Sequence, residues 1–142
     1  MCLLKKICSF FCKKEALISK KGKSILVVED EEGQRLTIQK ILEKKGYDLL
    51  LAENGPQALA IARSRKPDLV LLDVGIPEID GKEVCRQLKA DDSTKHIPII
   101  FLTASDGPND IVDHFDLGAD MHLTKPINAK ELIAQIDITF GN

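Results

Sequence analysis

Four short apolar runs in this 142-residue chain each lead into a residue that can do chemistry. SILVV (24–28) is followed by Glu29 and Asp30, LVLL (69–72) by Asp73, PIIFL (98–102) by Thr103, and DMHLT (120–124) by Lys125. Taken singly, each has an ordinary explanation as a turn or helix-entry acid, a threonine cap or a solvated lysine. Together they are three acids, a hydroxyl and a cation. Carboxylates a few ångströms apart repel by ~4 kcal/mol per pair at an effective dielectric of 20, so one holds a proton or a cation sits among them. An all-oxygen set without His or Cys suits a hard ion such as Mg²⁺, which keeps several waters and commonly partners phosphate. An Asp flanked by such an ion and by Lys125, with the Thr103 hydroxyl as donor, can accept a phosphoryl group as an acyl phosphate. Asp73, delivered by the LVLL run, is the candidate phosphoacceptor.

That chemistry needs elements that bring the four run ends together. The runs are short and bounded by turn formers; LVLL reads as a strand buried on both faces, and DMHL (120–123) as a shorter and weaker strand. Between them lie helical patterns. Ile38, Ile41 and Leu42 recur at helical spacing in Gly33 to Lys45, with Gly46 as the stop. After a strand DLLLA (48–52), Asn54 caps a helix carrying Ala58, Leu59 and Ala62, ended by Lys66-Pro67. The Asp80-Gly81 turn opens a helix with Val84, Cys85 and Leu88 on one side, where Cys85 is expected in the core. A further helix is expected from Asn109 to Leu117, stopped by Gly118. Asn128 caps the last, with the stripe Ala129, Leu132, Ile133, Ile136 and Phe140. Five strands alternating with five helices predict a doubly wound α/β domain with a parallel sheet. In a parallel sheet all the carboxyl ends share one edge, and ligands of open α/β sheets bind there.

Length allows one domain with a proper core, and 44% hydrophobic with 30% charged residues excludes a disordered or fibrous chain. No apolar stretch approaches the ~20 residues of a membrane span. Residues 1–23 hold seven lysines against Glu15, a net +6 within a total of −2, so the remainder carries −8. Such an acidic body, without Trp and with 4% aromatics, is a poor fit to nucleic acid. Cys2, Cys8 and Cys12 lie in the basic segment at spacings that match no metal or redox pattern, and a cytoplasmic setting is expected. The division expected is a basic amphipathic extension, 1–22, and a domain, 23–142. Leu3, Leu4, Ile7, Phe10 and Phe11 form one helical stripe beside Lys5, Lys6, Lys13 and Lys14, which reads as a membrane-surface segment. Docking on the acidic body and an inert extension are its alternatives.

The stretches VVEDEE, ENGPQAL, LVLLDVGIPEIDG, IIFLTA and GADMHLTKP occur in an order and spacing that resemble the receiver domain of two-component response regulators. The resemblance implies a five-stranded flavodoxin-like fold and a phosphoryl group accepted on Asp73 from a sensor histidine kinase or a histidine phosphotransfer protein. It makes Glu29 and Asp30 the acidic pair, with Asp30 favoured as the direct Mg²⁺ ligand, and gives the metal the Gly75 backbone carbonyl. Thr103 and Lys125 would contact the phosphoryl oxygens, and Lys125-Pro126 would be the family's Lys-Pro step, often cis.

Three departures stand out. Glu29 replaces the commoner Asp, which metal binding through water should survive. His122 stands where Tyr or Phe usually rotates as the signalling switch, so its readout would differ, with pH among the variables; an inert strand His is the plainer reading. Gly75 and Ser105 leave the phosphoryl site open to water. A chain that stops after its last helix is expected to act as a stand-alone receiver, signalling to a protein target through its last helices and strand or passing the phosphoryl group on. Competing readings are a docking module never phosphorylated and a Mg²⁺-dependent phosphohydrolase. The latter wants a second Asp two residues after the first, where Gly75 stands.

Overall fold

The computed structural model describes residues 22–104 and 115–141. The elements are β1 (Ser24–Val28), α1 (Glu32–Lys44), β2 (Asp48–Ala52), α2 (Gly55–Arg65), β3 (Leu69–Asp73), α3 (Gly81–Ala90), β4 (Ile99–Thr103), β5 (Met121–Thr124) and α4 (Ala129–Phe140). All strand pairs are parallel, in the order β2-β1-β3-β4-β5. The doubly wound five-stranded sheet expected from the run pattern is present. β4 and β5 each begin one residue later than expected, and α1 begins and ends one earlier. The expected 109–117 helix, Ser105 and residues 1–21 lie outside or largely outside the described residues.

Strand side chains alternate between faces, and that alternation builds two cores. Leu26, Val28, Val70, Leu72, Ile99 and Phe101 pack with Ala58, Leu59 and Ala62 of α2 and Val84, Cys85 and Leu88 of α3. The intervening Ile25, Val27, Leu69, Leu71, Ile100 and Leu102 pack with Ile38 and Leu42 of α1 and Leu132 and Ile136 of α4. β1, β3 and β4 are covered on both faces, which is why their sequences are continuous apolar runs. Cys85 is buried, as expected; Ala129, assigned to the α4 stripe, is exposed.

Local capping makes the helices start where the chain must turn back from the carboxyl edge. Asn54 accepts from the Gln57 amide at 2.8 Å, Asp80 from Glu83 at 2.9 Å and Asn128 from Glu131 at 3.1 Å. α1 is capped by Glu31, whose carboxylate accepts from the Gly33 and Gln34 amides, each at 3.1 Å. α2 ends at Lys66, left-handed at φ 44, so the residue before Pro67 leaves the right-handed helix region.

Candidate functional site

The strand order reverses between β1 and β3, since β1 leads to β2 on one side and the chain then crosses to β3 on the other. Their carboxyl ends therefore diverge and leave a crevice, which is where the chemistry-bearing residues collect. Glu29 follows β1 and Asp73 ends β3; Thr103 ends β4 and Lys125 follows β5. Carboxylate oxygens of Glu29, Asp30 and Asp73 lie within 4.8 Å of one another. Glu29 and Asp73 are buried, whereas Asp30 is exposed.

Lys125 bridges the two buried acids, with Nζ 2.7 Å from Glu29 Oε1 and 3.3 Å from Asp73 Oδ2. Its backbone is fixed by its own amide, which donates to the Thr103 carbonyl at 2.7 Å, and the Lys125–Pro126 peptide is cis. Thr103 is itself buried at the strand end. Asp73 is held from the other side, because the Gly75 amide donates to its Oδ1 at 3.2 Å. At Gly75 a Cβ would meet nothing within 4 Å, so this flank of Asp73 is open. The contact seen at Gly75 is thus its N–H.

The electrostatics follow from burial. Desolvation pushes Glu29 up to about 7, helped by its hydrogen bond with Asp73 and opposed by Lys125. Burial disfavours the Lys125 charge, but the Glu29 hydrogen bond and the nearby Asp73 and Glu29 charges overcome it and hold its pKa above the ordinary lysine value. The dilemma of crowded carboxylates is met here by the lysine ammonium and by a glutamate that keeps its proton readily. Among the described residues the clustered donor set is three carboxylates, with no nitrogen or sulfur ligand. That fits a hard divalent cation bound with waters.

His122 is half-buried on β5, its ring edge-on to Phe115 with centroids 6.4 Å apart. Two residues beside the site have roles there that no local sequence pattern announces. Arg35 of α1 donates through Nη1 to the Glu29 carbonyl at 2.9 Å and lies 3.2 Å, through Nη2, from Glu53 Oε1. Gly81, legible only as a turn glycine, sits against the Asp73 carbonyl, and its amide donates to Val74 at 2.9 Å. A cavity of about 480 Å³ opens beside Lys125, lined by Glu31, Gln34, Thr37, Ile38, Pro126 and Ile127 among others.

The model of the response regulator receiver domain matches residues 25–137. The phosphate regulon transcriptional regulatory protein PhoB of Pseudomonas aeruginosa is 45% identical over 115 residues, covering 81% of this chain and 50% of that protein. The response regulator PleD of Caulobacter vibrioides is 43% identical over 112 residues, covering 79% of this chain and 25% of that protein. The chain thus spans half of PhoB and a quarter of PleD. Among solved structures, the chemotaxis response regulator CheY4 of Vibrio cholerae superposes with a TM-score of 0.79 at 27% identity, over 82% of this chain and 98% of that one. The receiver domain of the sensor histidine kinase PA1611 from Pseudomonas aeruginosa superposes with a TM-score of 0.78 at 30% identity, over 84% of this chain and 98% of that one; its active-site cleft coordinates a magnesium ion.

Proposed function

This chain belongs to the response regulator receiver domain family, and from that premise we propose that Asp73 is the carboxylate that takes the phosphoryl group. The observation that carries the assignment is the bridge of Lys125 to Asp73 and Glu29 at the carboxyl edge of the sheet. Among the three clustered acids only Asp73 combines a strand-end backbone, burial and an open flank at Gly75. In the reaction one Asp73 oxygen attacks phosphorus. A P–O bond forms as the donor's P–N bond breaks, and the departing imidazole nitrogen keeps the electron pair and takes up a proton. Lys125 follows the charge onto the phosphoryl oxygens, and the Thr103 hydroxyl donates to one of them.

Asp30, Asp73 and the Gly75 carbonyl would hold Mg²⁺, with Glu29 acting through water. Bound there, the ion would neutralise charge on the transferring phosphoryl group. The donor is a sensor histidine kinase or a histidine phosphotransfer protein, and the output surface is the last strand and last helices, with His122 as its moving residue. Residues 23–142 act as the receiver and 1–22 as a separate basic segment that holds the domain at a membrane surface from the cytoplasmic side. Among the described residues no helix is long and apolar enough to cross a membrane.

Incubation with Mg²⁺ and acetyl phosphate tests the acceptor. Intact-mass spectra should show one added phosphoryl group on the wild type and none on Asp73→Asn, which keeps the shape but loses the nucleophilic oxyanion. Equal labelling of the two would sink the assignment. Labelling of neither, at any donor concentration, would favour an unphosphorylated docking module.

A further inference from the structure

We propose that Arg35 is a positioning residue for the cation site, its guanidinium fork clamping the Glu29–Asp30 peptide from behind the acids. The inference rests on the reading of Glu29, Asp30 and Asp73 as cation ligands. Asp30 is exposed, and among the described residues none of the hydrogen bonds or ion pairs goes to its carboxylate. The backbone that carries it is therefore what limits where it can reach. That backbone is pinned at both ends of Glu29. The Glu29 amide donates to the Ala52 carbonyl at 3.1 Å, and the Glu29 carbonyl accepts from Arg35 Nη1 at 2.9 Å. Because a peptide unit is planar, fixing that carbonyl fixes the amide and the Cα of Asp30 as well.

The other arm of the fork leads away from the site. Arg35 Nη2 is 3.2 Å from Glu53 Oε1, and the Glu53 amide donates to Gln57 Oε1 at 2.7 Å at the start of α2. Glu53 is 61% exposed, while the Arg35 side chain is 12% exposed. An ion pair to so exposed a carboxylate is worth little as stabilisation. The buried arm, a cationic donor on a carbonyl, is the stronger and more directional of the two contacts. Groups that orient ligands without touching the ion commonly control its affinity by 10–100-fold. A lysine could serve the carbonyl or Glu53, but its single ammonium cannot hold both in a planar fork.

Mg²⁺ titration by calorimetry, well below the unfolding transition, separates this from a plain staple between α1 and the β2–α2 loop. Arg35→Ala is expected to lose about tenfold or more in Mg²⁺ affinity. In the metal-free protein its Glu29 amide, held on the Ala52 carbonyl, should exchange with solvent about tenfold faster or more, while Leu26 and Val27 keep wild-type protection. Arg35→Lys should fall between the two. Wild-type affinity and exchange in Arg35→Ala, whatever its melting temperature, would overturn the clamp. Should that variant not fold, wild-type values in Arg35→Lys overturn the fork. If the wild-type protein itself binds no Mg²⁺ at millimolar concentration, the cation reading fails, and the exchange rates decide the clamp alone.

Discussion

The Lys125 ammonium lies 2.7 Å from Oε1 of Glu29, 96 positions earlier in the chain. One lysine thereby neutralises a buried site built from opposite ends of the sequence, and the same cation reaches Asp73 at 3.3 Å. Removing it should leave two buried acids without their counter-charge. Lys125→Ala is expected to cost about 2 kcal/mol or more in the metal-free protein, read from urea melts. Mg²⁺ should restore part of that loss, because a cation among the carboxylates does the work of the missing ammonium. Identical melts with and without Mg²⁺ would argue against a shared electrostatic site.

The raised pKa of Glu29 has a signed consequence for stability. An unfolded Glu ionises near 4.5, whereas folded Glu29 holds its proton up to about 7. The folded state then binds more protons across that window, so the Glu29 contribution is fully favourable below 4.5 and is lost as pH rises through about 7. Glu29→Gln, a neutral isostere, should flatten this part of the profile and make the metal-free protein relatively more stable at pH 8 than the wild type. Parallel profiles of the two proteins between pH 4.5 and 8 would contradict it.

Gly81 is a steric prediction. A Cβ there would collide with the Asp73 carbonyl oxygen and come within 2.8 Å of the Val74 Cα, both rigid backbone. Gly81→Ala must shift the β3–α3 connection or the end of β3, at a cost of about 1–3 kcal/mol. Because Asp73 rides on that backbone, acetyl phosphate labelling should slow as well. A stable variant that labels at the wild-type rate would show that the close approach matters to neither. By contrast Gly75→Ala, where nothing lies within 4 Å of the added methyl group, should leave stability unchanged within ±0.5 kcal/mol.

For residues 1–22 the prediction is one of location. The chain of residues 1–142 and one beginning at Lys23 should be labelled equally fast. Only the former should sediment with anionic vesicles, at about 1 kcal/mol per lysine near the surface, and less at high salt. Equal sedimentation would end the membrane reading. A faster-labelled truncation would favour docking of the basic segment over the acidic site.

Much of the site was legible in the sequence because its parts are local. A strand buried on both faces needs a continuous apolar run, so LVLL announces itself, and the next residue must stand at the carboxyl edge. Asn54, Asp80 and Asn128 declare the helix starts by a cap whose reach is only three residues. Glu29, Asp30, Asp73, Thr103 and Lys125 could therefore be assembled from run ends alone. What local pattern cannot contain is the partner across the fold. That Arg35 turns inward onto the Glu29 carbonyl depends on how α1 lies over β1. That Glu53 is within its reach depends on β2 pairing with β1 in register Val28 to Ala52. The complete burial of Glu29, and with it the rise of its pKa, requires walls from β1, β3 and the β5–α4 connection at once. The approach of Gly81 to Asp73 likewise exists only when the chain has turned back on its own strand. Covalent neighbours and hydrophobic periodicity act over a few residues, whereas desolvation, steric exclusion and charge pairing act through space between segments that only the packed sheet brings together.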